Sequence, residues 1–262
     1  MKKNIGFIGC GKMASAIISG MQGENITASE ATLELAQLAQ KRLNIRVICD
    51  NKQLIQNSDI IFIATKPNNV TDVLQEICEY ASNDKLIVSI AAGVKIETIE
   101  NILPKSRIIR IMPNTPALVK LGMFGICAGK NALEEDIFTV ESLLNPIGKC
   151  ICVEEAQMDI VTAISGSGPA FFYQVIEDMA RAGEKLGLEY DKSLILATQT
   201  ALGSAQMIFN RGETTVQTLI DNVATKGGCT FVGIQEMKSG KSNELFYNVI
   251  EKTVKKACEL GK

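Results

Sequence analysis

The stretch Asn4-Ile5-Gly6-Phe7-Ile8-Gly9-Cys10-Gly11-Lys12-Met13-Ala14 decides the fold. An apolar strand, Ile5–Ile8, runs straight into a glycine turn, and the turn opens a helix that carries Met13, Ala14, Ala16, Ile17, Ile18 and Met21. In that order Gly9 permits the tight turn, Gly11 lets backbone N–H groups approach a phosphate, and the small Ala14 lets helix and strand pack closely. The N-terminus of the helix adds positive potential. This spacing predicts a cradle for a dinucleotide pyrophosphate and, with it, redox chemistry.

Outward from the turn, short β-branched runs alternate with helical stretches as far as about residue 153. Strands are expected at Ile26–Ala28, Val47–Ile48, Ile60–Ile63, Leu86–Ile90, Ile108–Met112, Phe124–Cys127 and Cys150–Val153. Continuous apolar strands separated by helices predict a doubly wound α/β domain with a mostly parallel sheet covered on both faces. After Glu154 the strand signals stop. Apolar residues at helical spacing predict helices over Ala156–Leu186, interrupted by Ser165-Gly166-Ser167-Gly168-Pro169, and then over Lys192–Asn210, Thr215–Val223, Thr230–Met237 and Asn243–Leu260. The expected division is therefore residues 1–155, a dinucleotide-binding domain, and residues 156–262, a helical domain. The apolar helices of the second part need another copy to bury them, so a homodimer at least is expected.

The chain has 262 residues and a net charge of -2, with no broad basic field to hold nucleic acid or an anionic membrane. No apolar run reaches bilayer-spanning length and the first residues do not read as a signal peptide, so a cytoplasmic protein is expected. None of the eight cysteines forms a Cys-x-x-Cys pair, and they read as reduced apolar fillers without metal. Histidine is absent, which excludes histidine triads, histidine-bound metals and any imidazole acid or base.

In an open α/β sheet the ligand lies beyond the carboxyl ends of the strands. Three such ends are small or proline-bounded: Ala64-Thr65-Lys66-Pro67, Ala91-Ala92-Gly93 and Pro113-Asn114-Thr115-Pro116. Small residues there admit a flat nicotinamide ring and its ribose, which makes Asn114 a candidate cofactor neighbour. Ser29 and Glu30 fall where the adenosine ribose is expected. A carboxylate there suits NADH, whereas Ser29 with Asn51-Lys52 leaves NADPH open. Two glycine-rich segments follow. Ser165–Pro169 joins two helices with N–H groups expected to be free for an acceptor, so Ser167 and Gly168 join the substrate candidates. Thr225-Lys226-Gly227-Gly228-Cys229-Thr230 offers glycines, hydroxyls and a helix N-terminus, a natural carboxylate cradle.

Taken together these residues resemble the pyrroline-5-carboxylate reductases over nearly the whole chain. The motifs stand in family order: Gly-Phe-Ile-Gly-x-Gly-x-Met at Gly6–Met13, Lys66-Pro67, Ser89–Gly93, Met112–Pro116, Ser165–Ala170 and the signature loop Val223–Lys238. The resemblance implies a Rossmann-like domain followed by an all-α dimerisation domain, often in larger rings of dimers. It implies reduction of 1-pyrroline-5-carboxylate to L-proline by NADPH or NADH. It places the cofactor on Ile8, Gly9, Cys10, Gly11, Lys12, Met13, Ser29, Asn51, Ala64, Thr65, Lys66, Pro67, Ala91 and Ala92. The substrate carboxylate falls on Thr225, Gly227, Gly228, Cys229 and Thr230, with the Thr230 hydroxyl at the reacting ring. Lys226 stands where the family commonly has proline, and no basic residue follows Ser29. A β-hydroxyacid dehydrogenase shares the domain plan but needs a lysine base where this chain has Ser-Gly-Ser-Gly-Pro; a non-catalytic nicotinamide-binding regulator has no need of a second anion cradle.

Overall fold

The computed structural model describes residues 2–21 and 23–260. The apolar runs form β1 (Asn4–Ile8), β2 (Asn25–Ser29), β3 (Arg46–Ile48), β4 (Ile60–Ile63), β5 (Leu86–Ser89), β6 (Arg107–Met112), β7 (Gly122–Ala128) and β8 (Gly148–Cys152). Between them lie α1 (Lys12–Gly20), α2 (Leu33–Leu43), α3 (Asn51–Gln56), α4 (Val70–Ile77), α5 (Ile96–Ile102) and α6 (Glu134–Leu144). The strands make one sheet in the order β3-β2-β1-β4-β5-β6-β7-β8. All neighbours run parallel except β6 and β7, which pair antiparallel through Ile111 opposite Ile126. The order reverses between β1 and β4, and that switch point is where such sheets open a ligand crevice.

Alternate strand residues feed two cores, one on each face of the sheet. Phe7 and Phe62 stack at 4.5 Å between ring centroids and belong to one core with Ile17 and Phe124. Ile8, Ile61, Ile63, Leu74 and Ile99 build the other. Double coverage explains why the central strands are apolar at every position rather than at every second one. Two ion pairs brace the far strands. Arg107 Nη1 donates to Asp136 Oδ1 at 2.6 Å while Asp136 Oδ2 accepts the Leu133 N–H at 2.9 Å, closing the start of α6. Arg110, 4% exposed, donates to Glu155 Oε1 at 2.9 Å, and the same oxygen accepts the Ile96 N–H at 2.6 Å.

After β8 come α7 (Met158–Val161), a π-helical turn (Thr162–Gly166), α8 (Gly168–Lys185), α9 (Tyr190–Phe209), α10 (Val216–Val223), α11 (Cys229–Ser239) and α12 (Ser242–Leu260). The chain divides into two compact units. One runs through Ser167 and takes in the end of α12 from Thr253; the other is Gly168–Lys252. Within the second unit few side chains are buried, Ala180, Ser193 and Ala197 among them, while Leu186 is 89% and Phe209 72% exposed. Phe172, Tyr173, Met179, Ile195 and Leu196 are exposed as well. Apolar surface on this scale needs a partner. Of the cysteines only Cys10 and Cys127 are buried, so the expectation of apolar fillers fails for Cys49, Cys78, Cys152, Cys229 and Cys258, which are exposed.

The Asp136 side chain is 1% exposed and that of its partner Arg107 18%. Asp136→Ala is expected to lower the unfolding free energy in urea by about 3 kcal/mol, because it strands a charge and uncaps α6. A loss below about 1 kcal/mol would class the pair with ordinary surface bridges.

Candidate active site

Gly9 takes φ +96°, and a Cβ there would lie 2.9 Å from the Ala64 carbonyl oxygen. The turn is thereby pressed onto the end of β4. Its N–H donates to the Ser29 carbonyl at 2.9 Å, and the Ala64 N–H donates to the Ile8 carbonyl at 2.9 Å, so the ends of β1, β2 and β4 are tied at one edge. A Cβ on Gly11 would meet nothing within 4 Å, which leaves its outer side open. The first helical bond runs from the Ser15 N–H to the Gly11 carbonyl at 2.9 Å, and no side chain caps α1. The N–H groups of Lys12, Met13 and Ala14 therefore have no acceptor in the helix and face the open side with the positive end of its dipole. This geometry suits an anion and makes the turn a candidate cradle, with Lys12 as an exposed cation beside it.

Beside the cradle, side chains from four elements converge. Ser29, buried, donates its hydroxyl to Asn51 Oδ1 at 2.6 Å, and Asn51 Nδ2 donates to Glu76 Oε2 at 2.7 Å. Glu30 Oε1 accepts the Cys10 N–H at 2.7 Å, and Arg42 Nη2 donates to the Cys10 carbonyl at 2.5 Å. The Cys10 peptide is thus held from both sides. Burial, followed by the negative Glu30, pushes the Cys10 thiol up to about 12. A hollow of about 390 Å³ opens here, lined in part by Glu30, Asn51, Asp72 and Glu76. Glu30 was legible as the residue after β2. Arg42, Asp72 and Glu76 were not, since no local pattern marks them and only the crossover helices α2 and α4 carry them to the edge.

The strand ends expected to form the cleft floor do lie on adjacent strands, because β4, β5 and β6 are neighbours. Thr65 Oγ1 is buried without a hydrogen-bond partner, a polar atom that a ligand group can satisfy. Lys66 and Pro67 are exposed at the start of a short 3-10 turn; Ala91 is buried and Ala92 exposed. Asn114, a candidate cofactor neighbour, has its side chain engaged within the chain. Its Oδ1 accepts the Met123 N–H at 2.8 Å and its Nδ2 donates to the Ser165 carbonyl at 3.2 Å, so its amide braces β7 and the π-helical turn.

The second glycine-rich segment also differs from expectation. Ser165–Pro169 is not an open joint. The π-helical turn carries the chain almost without a break into α8, and the Ser167 N–H is consumed by the Thr162 carbonyl at 2.8 Å. Gly168 is buried as the first residue of α8. In the other unit, the loop before α11 closes on itself: Gly227 takes φ +84° and the Gly228 N–H donates to the Thr225 carbonyl at 2.9 Å. That uses one amide expected to serve an anion. Helix α11 begins at Cys229, one residue earlier than periodicity indicates, and has no side-chain cap. The N–H groups of Cys229, Thr230 and Phe231 remain without helical acceptors. Thr230 is half-buried and lines an apolar hollow of about 390 Å³ with Ile208, Ile220, Val223 and Ile234.

A sheet with this switch point, an uncapped helix behind a left-handed glycine and an orphaned hydroxyl at the next strand end define a nicotinamide-dinucleotide oxidoreductase. Comparison with known proteins agrees. Residues 155–260 match the family model described as pyrroline-5-carboxylate reductase dimerisation, and residues 4–93 the one described as NADP oxidoreductase, coenzyme F420-dependent. The pyrroline-5-carboxylate reductase of Methanosarcina acetivorans is 38% identical over 99% of this chain and 98% of its own. The solved pyrroline-5-carboxylate reductase of Coxiella burnetii superposes with a TM-score of 0.93 at 33% identity, covering 100% of both chains. That of Plasmodium falciparum, solved with NADP bound, gives 0.86 at 33% identity over 99% of this chain and 98% of its own. The chain belongs to the pyrroline-5-carboxylate reductase family. Its dimerisation domain accounts for the bare helices of the second unit, and the protein is a homo-oligomer.

Thiol chemistry provides a check on the turn. Burial raises Cys10 and Cys127 from 9.0 to about 12 in the folded chain. Between those values the unfolded chain has lost protons that the folded one keeps, so stability is full below pH 9 and falls as the pH climbs towards 12. In the native protein at pH 8, iodoacetamide is expected to label Cys49 and Cys229 while sparing Cys10 and Cys127, read by peptide mass spectrometry. Rapid native labelling of Cys10 would show the turn to be open.

Proposed function

We propose that the protein reduces 1-pyrroline-5-carboxylate to L-proline, taking two electrons as hydride from NADH or NADPH. What carries this reading is the set of N–H groups at the start of α11, those of Cys229, Thr230 and Phe231, which have no helical acceptor and no side-chain cap, in a chain whose match to a pyrroline-5-carboxylate reductase extends over 99% of its length. The proposed cofactor seat is Ile8 to Met13, with Ser29 and Asn51 at the ribose end and Ala64 to Pro67, Ala91 and Ala92 along the strand ends. Asn114 contributes there as a brace. These residues fit the group: the unclaimed N–H groups of α1 suit a pyrophosphate, the open face of Gly11 admits it, and Thr65 lacks a partner.

When bound, the dihydronicotinamide supplies the hydride. The chain's own part is to position the imine carbon and manage charge. The substrate carboxylate is assigned to the N–H groups of Cys229 and Thr230 and to the Gly227 turn, with Thr225, Gly228, Ser167 and Gly168 shaping its surroundings. The Thr230 hydroxyl, or a water it holds, hydrogen-bonds the ring nitrogen. Protonation of the imine makes its carbon the electrophile, which would accept the hydride while the C=N π pair becomes the amine lone pair. With no histidine in the chain, that proton arrives on the substrate from solvent or through Thr230. The proposed setting is cytoplasmic, without metal, nucleic acid or membrane, as a dimer or a ring of dimers. No helix among the described residues is long and apolar enough to cross a membrane.

Oxidation of NADH and of NADPH, followed by loss of absorbance on addition of pyrroline-5-carboxylate, tests the activity. Thr230→Ala is expected to lower kcat more than tenfold with cofactor affinity nearly intact, a loss of over about 1.4 kcal/mol of transition-state stabilisation. Unchanged turnover would remove Thr230 from the chemistry. Sedimentation at micromolar concentration is expected to show a dimer or larger species, and Phe172→Asp with Phe209→Asp is expected to shift it towards monomer. A wild-type monomer at that concentration would overturn the assembly reading.

A further inference from the structure

The hollow beside the cradle is negative, and its inner amide, Asn51, is bonded within the chain. Glu30 is half-buried, with Oε1 2.7 Å from the N–H of Cys10, the residue between the two glycines of the turn. The carboxylate is therefore anchored over the cradle. In this fold the residue at that place meets the hydroxyls of the adenosine ribose. The adjoining hollow has three carboxylates in its wall, those of Glu30, Asp72 and Glu76, and neither lysine nor arginine.

A phosphate on the ribose would need donors there. The Asn51 amide donates to Glu76 and its carbonyl accepts the Ser29 hydroxyl, so these two side chains are bonded within the chain, and the other amide in the lining, Asn69, is exposed and uncharged. Of the cations near this end, Arg42 gives one N–H to the Cys10 carbonyl at 2.5 Å, and Arg42, Lys52 and Lys66 are all exposed and outside the lining. A ribose diol can give its two hydroxyl protons to carboxylates. A 2'-phosphate, with nearly two negative charges and no proton to give, meets repulsion instead.

We propose that Glu30, backed by Asp72 and Glu76, makes this chain selective for NADH over NADPH. The inference rests on the reading of the glycine turn as the cofactor seat and goes beyond it by assigning the choice between the two dinucleotides to named side chains. Glu30 is a specificity-determining residue: its charge selects, and its bond to Cys10 holds that charge in place.

Calorimetric titration of the full-length protein with NADH and with NADPH reads the choice without turnover. NADH is expected to bind at least tenfold more tightly at low ionic strength, and the gap should narrow in 0.5 M salt because repulsion is screened. Glu30→Gln keeps an acceptor for the Cys10 N–H and removes the charge, so it should fold as the parent does, checked by thermal melting, while the NADPH-to-NADH ratio of dissociation constants falls at least fivefold. Equal affinities in the parent, or preference for NADPH, would overturn the proposal and leave the cofactor seat standing. A ratio unmoved by Glu30→Gln would overturn the role of Glu30. Failure of both dinucleotides to bind would overturn the seat and the selectivity together.

Discussion

The contact between the left-handed turn at Gly9 and the Ala64 carbonyl is the constraint on which the rest depends. A side chain at Gly9 would stand 2.9 Å from that oxygen, so only glycine lets the end of β1 close down on the end of β4. Closure at that place matters because the strand order reverses between these two strands. The turn aims the first N–H groups of α1 across the reversal, and the ends of β4, β5 and β6 lie in sequence beside it. Without the close approach the uncapped helix would be a solvated end; with it, the helix faces a floor of small residues and the unpartnered Thr65 hydroxyl.

The two units solve burial differently. The central strands are buried on both faces, with the stacked Phe7–Phe62 pair on one and the Ile8, Ile61 and Ile63 cluster on the other. The helices of Gly168–Lys252 do the reverse and keep Phe172, Leu186 and Phe209 in the open. A unit of that kind is stable by association, so assembly belongs to folding here as much as to function.

The chemistry is spare in the same way. The chain has no imidazole and offers amide N–H groups, hydroxyls and a few well-placed charges. The Cys10 peptide shows how those charges act at a distance from any reacting atom. Glu30 takes its N–H and Arg42 its carbonyl, which stiffens the turn and sets a carboxylate at the cradle's edge. Asn114 works similarly, joining β7 to the π-helical turn through its amide. Such residues hold the frame in which a substrate that needs little acid or base help can be aligned.

The strands, the glycine turn and the glycine-rich loop before α11 were all readable in the sequence, because each is a local pattern: β-branched runs, glycines at a fixed spacing, a helix start without a cap. Tertiary structure alone decided what depends on distant segments meeting. It reversed β7 against β6, set Arg42 on the Cys10 carbonyl and Asp72 and Glu76 in the hollow beside Glu30, turned Asn114 into a brace, and spent the Ser167 and Gly228 amides inside the chain. The reason is physical. Backbone periodicity is written in neighbouring residues, whereas the partner of a given N–H or carboxylate is whichever group the packed sheet brings within 3 Å of it.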